Sequence, residues 1–132
     1  MGQTQLLMIV LAVIIVGIAV AVGITQFGES AVAANRDAVA GDCHLIVAKA
    51  QQWYRKPTSL GGGGNAFTGL TLADIGVSSS NQNGSYALTI DAANQITIVG
   101  TGNESSPTTG SALTVTVEYF AANDSTSYLD DM

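Results

Sequence analysis

From Leu6 to Ile24 the chain runs through nineteen consecutive residues without a polar side chain. As a helix rising about 1.5 Å per residue, this stretch spans roughly 28 Å, close to the thickness of a bilayer's hydrocarbon core. Beyond Glu29 the pattern changes. Val32, Val39, Cys43, Ile46, Ala50 and Trp53 are spaced 7, 4, 3, 4 and 3 apart, which places them on one helical face. The segment from Glu29 to Lys56 is rich in alanine, poor in β-branched residues and free of proline, so its helix propensity is good. Lys49, Arg55 and Lys56 complement the negative pole of a helix ending there. Pro57 and the run Gly61–Gly64 then stop it. The pattern predicts one helix of about fifty residues, apolar all round in its first half and amphipathic in its second. Glycines at 17, 23, 28 and 41 weaken such a helix, and a local break is expected at Gly17 or Gly23.

After the glycine run the period shortens to two. Tyr86–Ile90, Gln95–Val99 and Ala112–Phe120 alternate and are rich in strand formers. Asp91–Asn94 reads as a hairpin turn and Thr101–Ser111 as a loop. Leu70–Ile75 fits either a short helix or an edge segment. Leu113, Val115, Val117 and Tyr119 share one face of the third strand. A three-stranded sheet needs a partner for its apolar face, and the stripe Val39, Ile46, Ala50 and Trp53 supplies one. The expected fold is α+β, a long N-terminal helix packed on a small antiparallel β-sheet head. It divides into an apolar helix half (1–28), an amphipathic half (29–56) and a β-rich head (57–132).

Charge sharpens this division. Residues 1–28 carry none, residues 29–56 hold all four basic residues and three acids, and residues 57–132 hold seven acids and no Lys or Arg. With a net charge of −6, nucleic acid is not an expected partner, because phosphate binding requires clustered cations. The single cysteine, Cys43, reads as a packed small hydrophobe. His44 adjoins it, but helical neighbours do not face each other, so the pair is not a nucleophile and its base. No catalytic, cofactor-binding or metal-ligating set can be assembled, and neither an enzyme nor a small-molecule substrate is expected. Gly61–Gly64 lacks the Lys-Ser/Thr of a phosphate loop and reads as a flexible turn. Asp124, Asp130 and Asp131 read as a solvated acidic end. Asn83, Asn103 and Asn123 each begin a glycosylation acceptor pattern.

The apolar segment fits neither a signal peptide nor a plain anchor well. Met1–Gln5 has no positive charge, which a signal peptide carries, and the apolar run is long for one, although Ala31-Val32-Ala33 resembles a cleavage site. Plain anchors are flanked by Lys or Arg, whereas the first basic residue is Arg36.

A long helix, apolar then amphipathic, joined to a small β-rich head resembles the type IV pilins. The resemblance rests on the architecture of Met1–Lys56. It implies a subunit that sits in the inner membrane, is processed by a prepilin peptidase, and is built by pilus assembly machinery into an extracellular helical homopolymer, with Met1 N-methylated if it is the processed end. Assembly would run through Met1, Gln5, Leu6, Leu7, Ile9, Val10, Leu11, Val13, Ile14, Val16, Ile18, Val20 and Val22. Two departures stand out. Gln5 occupies the place of the family's usual glutamate, and the disulfide-bonded C-terminal loop is missing. Packing the apolar helices together removes their surface from water, and heterologous contacts of this kind propagate into open filaments. Related expectations are a minor pseudopilin of a secretion or DNA-uptake machine, an archaeal adhesion or flagellum-like subunit, and a membrane-anchored binding module.

Overall fold

The computed structural model describes residues 2–107 and 109–131 of the 132-residue chain. A single helix, α1, runs from Gly2 to Arg55. After a 3-10 turn at Thr58–Leu60, the chain crosses to a sheet of four strands: β1 (Gly84–Ala92), β2 (Gln95–Ser105), β3 (Ala112–Phe120) and β4 (Ser125–Asp131). The strands lie in the order β1-β2-β3-β4, every neighbouring pair antiparallel. This is the α+β arrangement expected, with one more strand.

The helix does not break at Gly17 or Gly23; it is continuous through both. A glycine inside a helix costs about 1 kcal/mol relative to alanine. A Cβ added at either position would meet nothing within 4 Å, so no packed neighbour forces a bend.

The fourth strand adds backbone pairing to a segment the sequence read only as a solvated acidic end; Asp124 and residues 125–129 remain exposed within it. Ser125–Asp131 pairs with Phe120–Thr114, Tyr119 opposite Thr126 and Val117 opposite Tyr128. The sequence Ser-Thr-Ser-Tyr-Leu-Asp-Asp carries too little apolar alternation to announce a strand; pairing with β3 supplies the order. Residues 101–105 likewise extend β2 where a loop was expected, and Leu72–Gly76 forms turns rather than a helix or strand.

The core lies between α1 and the sheet. From the helix come Val39, Cys43, Ile46, Val47 and Ala50; from the sheet come Tyr86, Ile96, Ile98, Val115, Val117 and Tyr119, all buried. Of the helix residues expected to pack on the head, Val39, Ile46 and Ala50 are buried, and Trp53 is partly buried against the cluster. The helix lies over β2 and β3. Along β2 the inward residues shrink from Ile96 and Ile98 to Gly100 and Gly102, so the helix can close on the sheet. A Cβ on Gly100 would lie 2.5 Å from Val39 Cγ1 and 2.9 Å from Cys43 Sγ.

The glycine run is an ordered helix cap. The amides of Gly63, Asn65 and Gly64 donate to the carbonyls of Trp53, Tyr54 and Lys56 at 2.9, 2.8 and 2.9 Å, acceptors that a helix end otherwise leaves unpaired. A side chain at Gly63 would overlap the Trp53 ring. Phe67, fully buried, then packs between Tyr54, tilted against it, and Tyr119, edge-on, with ring centroids 4.7 and 6.0 Å away.

Candidate functional site

The dominant surface feature is the bare first half of α1. Every large apolar side chain from Leu6 to Ile24 is 53–68 % exposed, and Phe27 is 80 % exposed. The head reaches up the helix only as far as Gly28, where Pro107 comes within 3.8 Å of the position a Cβ would take. Residues 2–27 therefore project beyond it, about 39 Å of helix at 1.5 Å per residue. This helix is long and apolar enough to cross a membrane. The residues expected to carry assembly, from Gln5 to Val22, all lie on this projection; Met1 lies outside the described residues.

The second half of α1 has three longitudinal stripes. The buried stripe faces the sheet. On one flank Asp37, His44 and Gln51 recur every seven residues, a spacing that keeps side chains on one helical face. His44 Nε2 and Tyr128 Oη of β4 lie 2.9 Å apart, and Gln51 Nε2 donates to Asp124 Oδ1 in the β3–β4 turn at 3.3 Å. This flank therefore overlooks β4. On the other flank Asp42, Lys49 and Lys56 also recur every seven residues. Asp42 reaches the β1 side, where its Oδ2 accepts from Asn83 Nδ2 at 2.7 Å, Asn81 Nδ2 at 2.9 Å and Tyr86 Oη at 2.5 Å. Lys49, Gln52, Trp53, Lys56, Asp74 and Ile75 line a concavity of about 220 Å³ on the same side.

Partial burial works against the Asp42 charge, but hydrogen bonds from Asn83, Tyr86 and Asn81 outweigh it and hold its carboxyl below the ordinary range. Burial, and then the bond to Asp42, drives the Tyr86 phenol upward. Burial and the nearby Asp42 charge push the Cys43 thiol up to about 11, the setting of an inert structural cysteine. Asn35 joins the same region: its Nδ2 donates to Asn83 O at 2.8 Å and its Oδ1 accepts from Glu104 N at 3.3 Å.

Of the glycosylation acceptor patterns, Asn83 is occupied by Asp42. Asn103 donates to Gln82 O at 2.8 Å, and Asn123 is exposed in the β3–β4 turn. Among the described residues, no group of three or more His, Cys, Asp and Glu is placed to hold a metal ion. The Asp42 cluster and the paired flanks escape sequence reading, because their partners lie about forty or more residues away along the chain. The heptad recurrence of 37-44-51 and 42-49-56 was the available signal.

Comparison with protein-family models, with curated proteins and with solved structures found no match.

Proposed function

We propose that this chain is the structural subunit of an extracellular filament of the type IV pilin kind, held in a membrane before assembly and packed helix to helix afterwards. The observation that carries this reading is the distribution of apolar surface: a helix bare from Leu6 to Phe27, with a folded head confined to its far half. Such a surface is stable in water only when covered. Lipid covers it in one state, and identical helices cover it in the other. Heads along the outside then leave the polymer soluble, aided by the acidic surface of residues 57–132. Gln5 in place of a carboxylate suits an apolar core, where an unpaired charge would be costly.

Electron microscopy of material sheared from cells, with mass spectrometry of the subunit, tests this. Thin filaments composed of this chain are the expected result. A chain found only in the membrane fraction, with no polymer, would replace the filament by a membrane-anchored module.

A further inference from the structure

Three segments of the head carry the Asn-x-Ser pattern that glycosyl transfer to asparagine requires: Asn83-Gly84-Ser85, Asn103-Glu104-Ser105 and Asn123-Asp124-Ser125. As sequence they are equivalent. Their surroundings are not. The atom that takes the sugar is the amide nitrogen Nδ2, so an acceptor must present that nitrogen to solvent and lose no structural bond when one of its protons is replaced.

Asn83 fails on both counts. It is only partly exposed, and its Nδ2 donates to Asp42 Oδ2 at 2.7 Å, one of the bonds that hold the β1 edge to the helix. Its backbone carbonyl accepts from Asn35 Nδ2 at 2.8 Å and from the Asn103 amide at 3.2 Å. Asn103 is exposed but lies inside β2. Its Nδ2 donates to Gln82 O at 2.8 Å, so it helps to hold the 81–83 segment against the sheet.

Asn123 differs in each respect. It sits in the β3–β4 turn, both it and Ser125 are exposed, and among the described residues its side chain has no hydrogen-bond partner. The turn itself is pinned through its middle residue. Asp124 adopts a φ of 50°, a left-handed conformation that aspartate tolerates better than most residues. Its Oδ1 accepts from Tyr119 Oη at 2.8 Å and Gln51 Nε2 at 3.3 Å. The carboxylate is thereby held by the helix and β3, while the asparagine and serine on either side stay in solvent. The bond to Gln51 also places the turn along the helix: Gln51 lies about 36 Å beyond Phe27 at 1.5 Å per residue. A saccharide here would stand clear of both a bilayer and the apolar tails.

We infer that Asn123 is an N-glycosylation site, and that the fold closes the other two acceptors. The inference rests on the extracellular placement of the head in the filament reading. The donor class is a saccharide carried on a lipid pyrophosphate. Asn123 Nδ2 bonds to the anomeric carbon, the bond from that carbon to the phosphate oxygen breaks, Nδ2 gives up one proton, and the lipid pyrophosphate leaves. No oxidant or reductant is needed.

Peptide mass spectrometry of the full chain, isolated from its own cells, is the test. Residues 57–132 hold no Lys or Arg, so trypsin leaves all three acceptors on one peptide. Chymotrypsin, cutting after Phe120 and Tyr128, releases residues 121–128 separately. That peptide should carry a saccharide mass increment, and the peptides holding Asn83 and Asn103 should carry none. Asn123→Gln and Ser125→Ala should each abolish the increment, and Ser125→Thr should keep it. An unchanged thermal midpoint of Asn123→Gln should accompany the loss, since the side chain holds nothing. A bare 121–128 peptide, an increment that survives Asn123→Gln, or a glycan on Asn83 or Asn103 overturns the assignment. Filaments built from bare chains leave the filament reading intact and remove the site. A glycosylated chain found only in membranes keeps the site and removes the filament.

Discussion

The phenol of Tyr86, on the first strand, donates a 2.5 Å hydrogen bond to the carboxylate of Asp42, forty-four residues earlier on the helix. With Asn81 and Asn83 converging on the same oxygen, this contact fastens the β1 edge to the helix next to the core. Tyr86→Phe keeps the ring and removes one of three donors. We expect a loss of about 1–2 kcal/mol, read as a lowered thermal midpoint of the full chain in detergent. An unchanged midpoint would mean that the two asparagines suffice.

The same pair sets a pH window. The folded Asp42 carboxyl lies below its unfolded value, so its contribution is present above about pH 4 and disappears as the pH falls through the folded value. The folded Tyr86 phenol lies above its unfolded value, so its contribution is complete below about pH 10 and declines as the pH rises beyond. Tyr119, raised by burial and by its bond to Asp124, adds to the alkaline loss. Tyr86→Phe should therefore flatten, without abolishing, the fall in stability above pH 10. Melting curves across pH 9–12 check this.

At Gly100 the helix lies directly against the sheet, and Gly100→Ala should force Val39 and Cys43 away. Overpacking of this sort costs about 1–3 kcal/mol. Val39→Ala makes room by removing the nearer atom, so the double variant should be more stable than the two single losses predict when added. Strict additivity in chemical denaturation would show that the backbone, not Val39, absorbs the strain.

The helix and its buried face were legible in the sequence because both depend on local periodicity. Spacings of three and four from Val39 to Trp53 marked the face that meets the sheet, and alternation marked the inward side of β3. Strand β4 was not legible. Its Ser, Thr and Asp residues follow no apolar pattern, and it is ordered by hydrogen bonding to β3 and by the His44–Tyr128 contact. The cap made by Gly61–Asn65 was hidden for a related reason: composition shows only that glycine permits a turn, while the helix carbonyls decide which turn. At Gly17 and Gly23 the sequence suggested weakness that a lone helix has no cause to express.

Cys43 should resist thiol reagents. Its side chain is fully buried, and the pKa of about 11 leaves little thiolate at pH 8. Labelling of the full chain by iodoacetamide should be negligible under native conditions and should rise in step with unfolding by denaturant. Rapid native labelling would contradict the packing of α1 on Gly100.

The bare helix half carries the functional reading, so a charge placed there should act far more strongly than one on the head. Ile15 lies near the middle of the apolar run and is 56 % exposed in the single chain. Ile15→Lys exchanges an apolar contact for an ammonium at the depth where membrane insertion is penalised by about 2.5–3.5 kcal/mol. In a polymer the same ammonium would lie among apolar neighbours without a partner. Thr89→Lys, on the exposed face of β1, introduces the same charge where water can solvate it. We expect Ile15→Lys to reduce both recovery in alkali-washed membranes and polymer yield by about 60–300-fold, the converted size of that penalty. Thr89→Lys should behave as the unaltered chain. If both variants retain full membrane recovery and polymer yield, the apolar run is covered by neither lipid nor identical helices. If only polymer yield falls, that expectation fails for the bilayer, which then tolerates the lysine by letting its ammonium extend towards the interface.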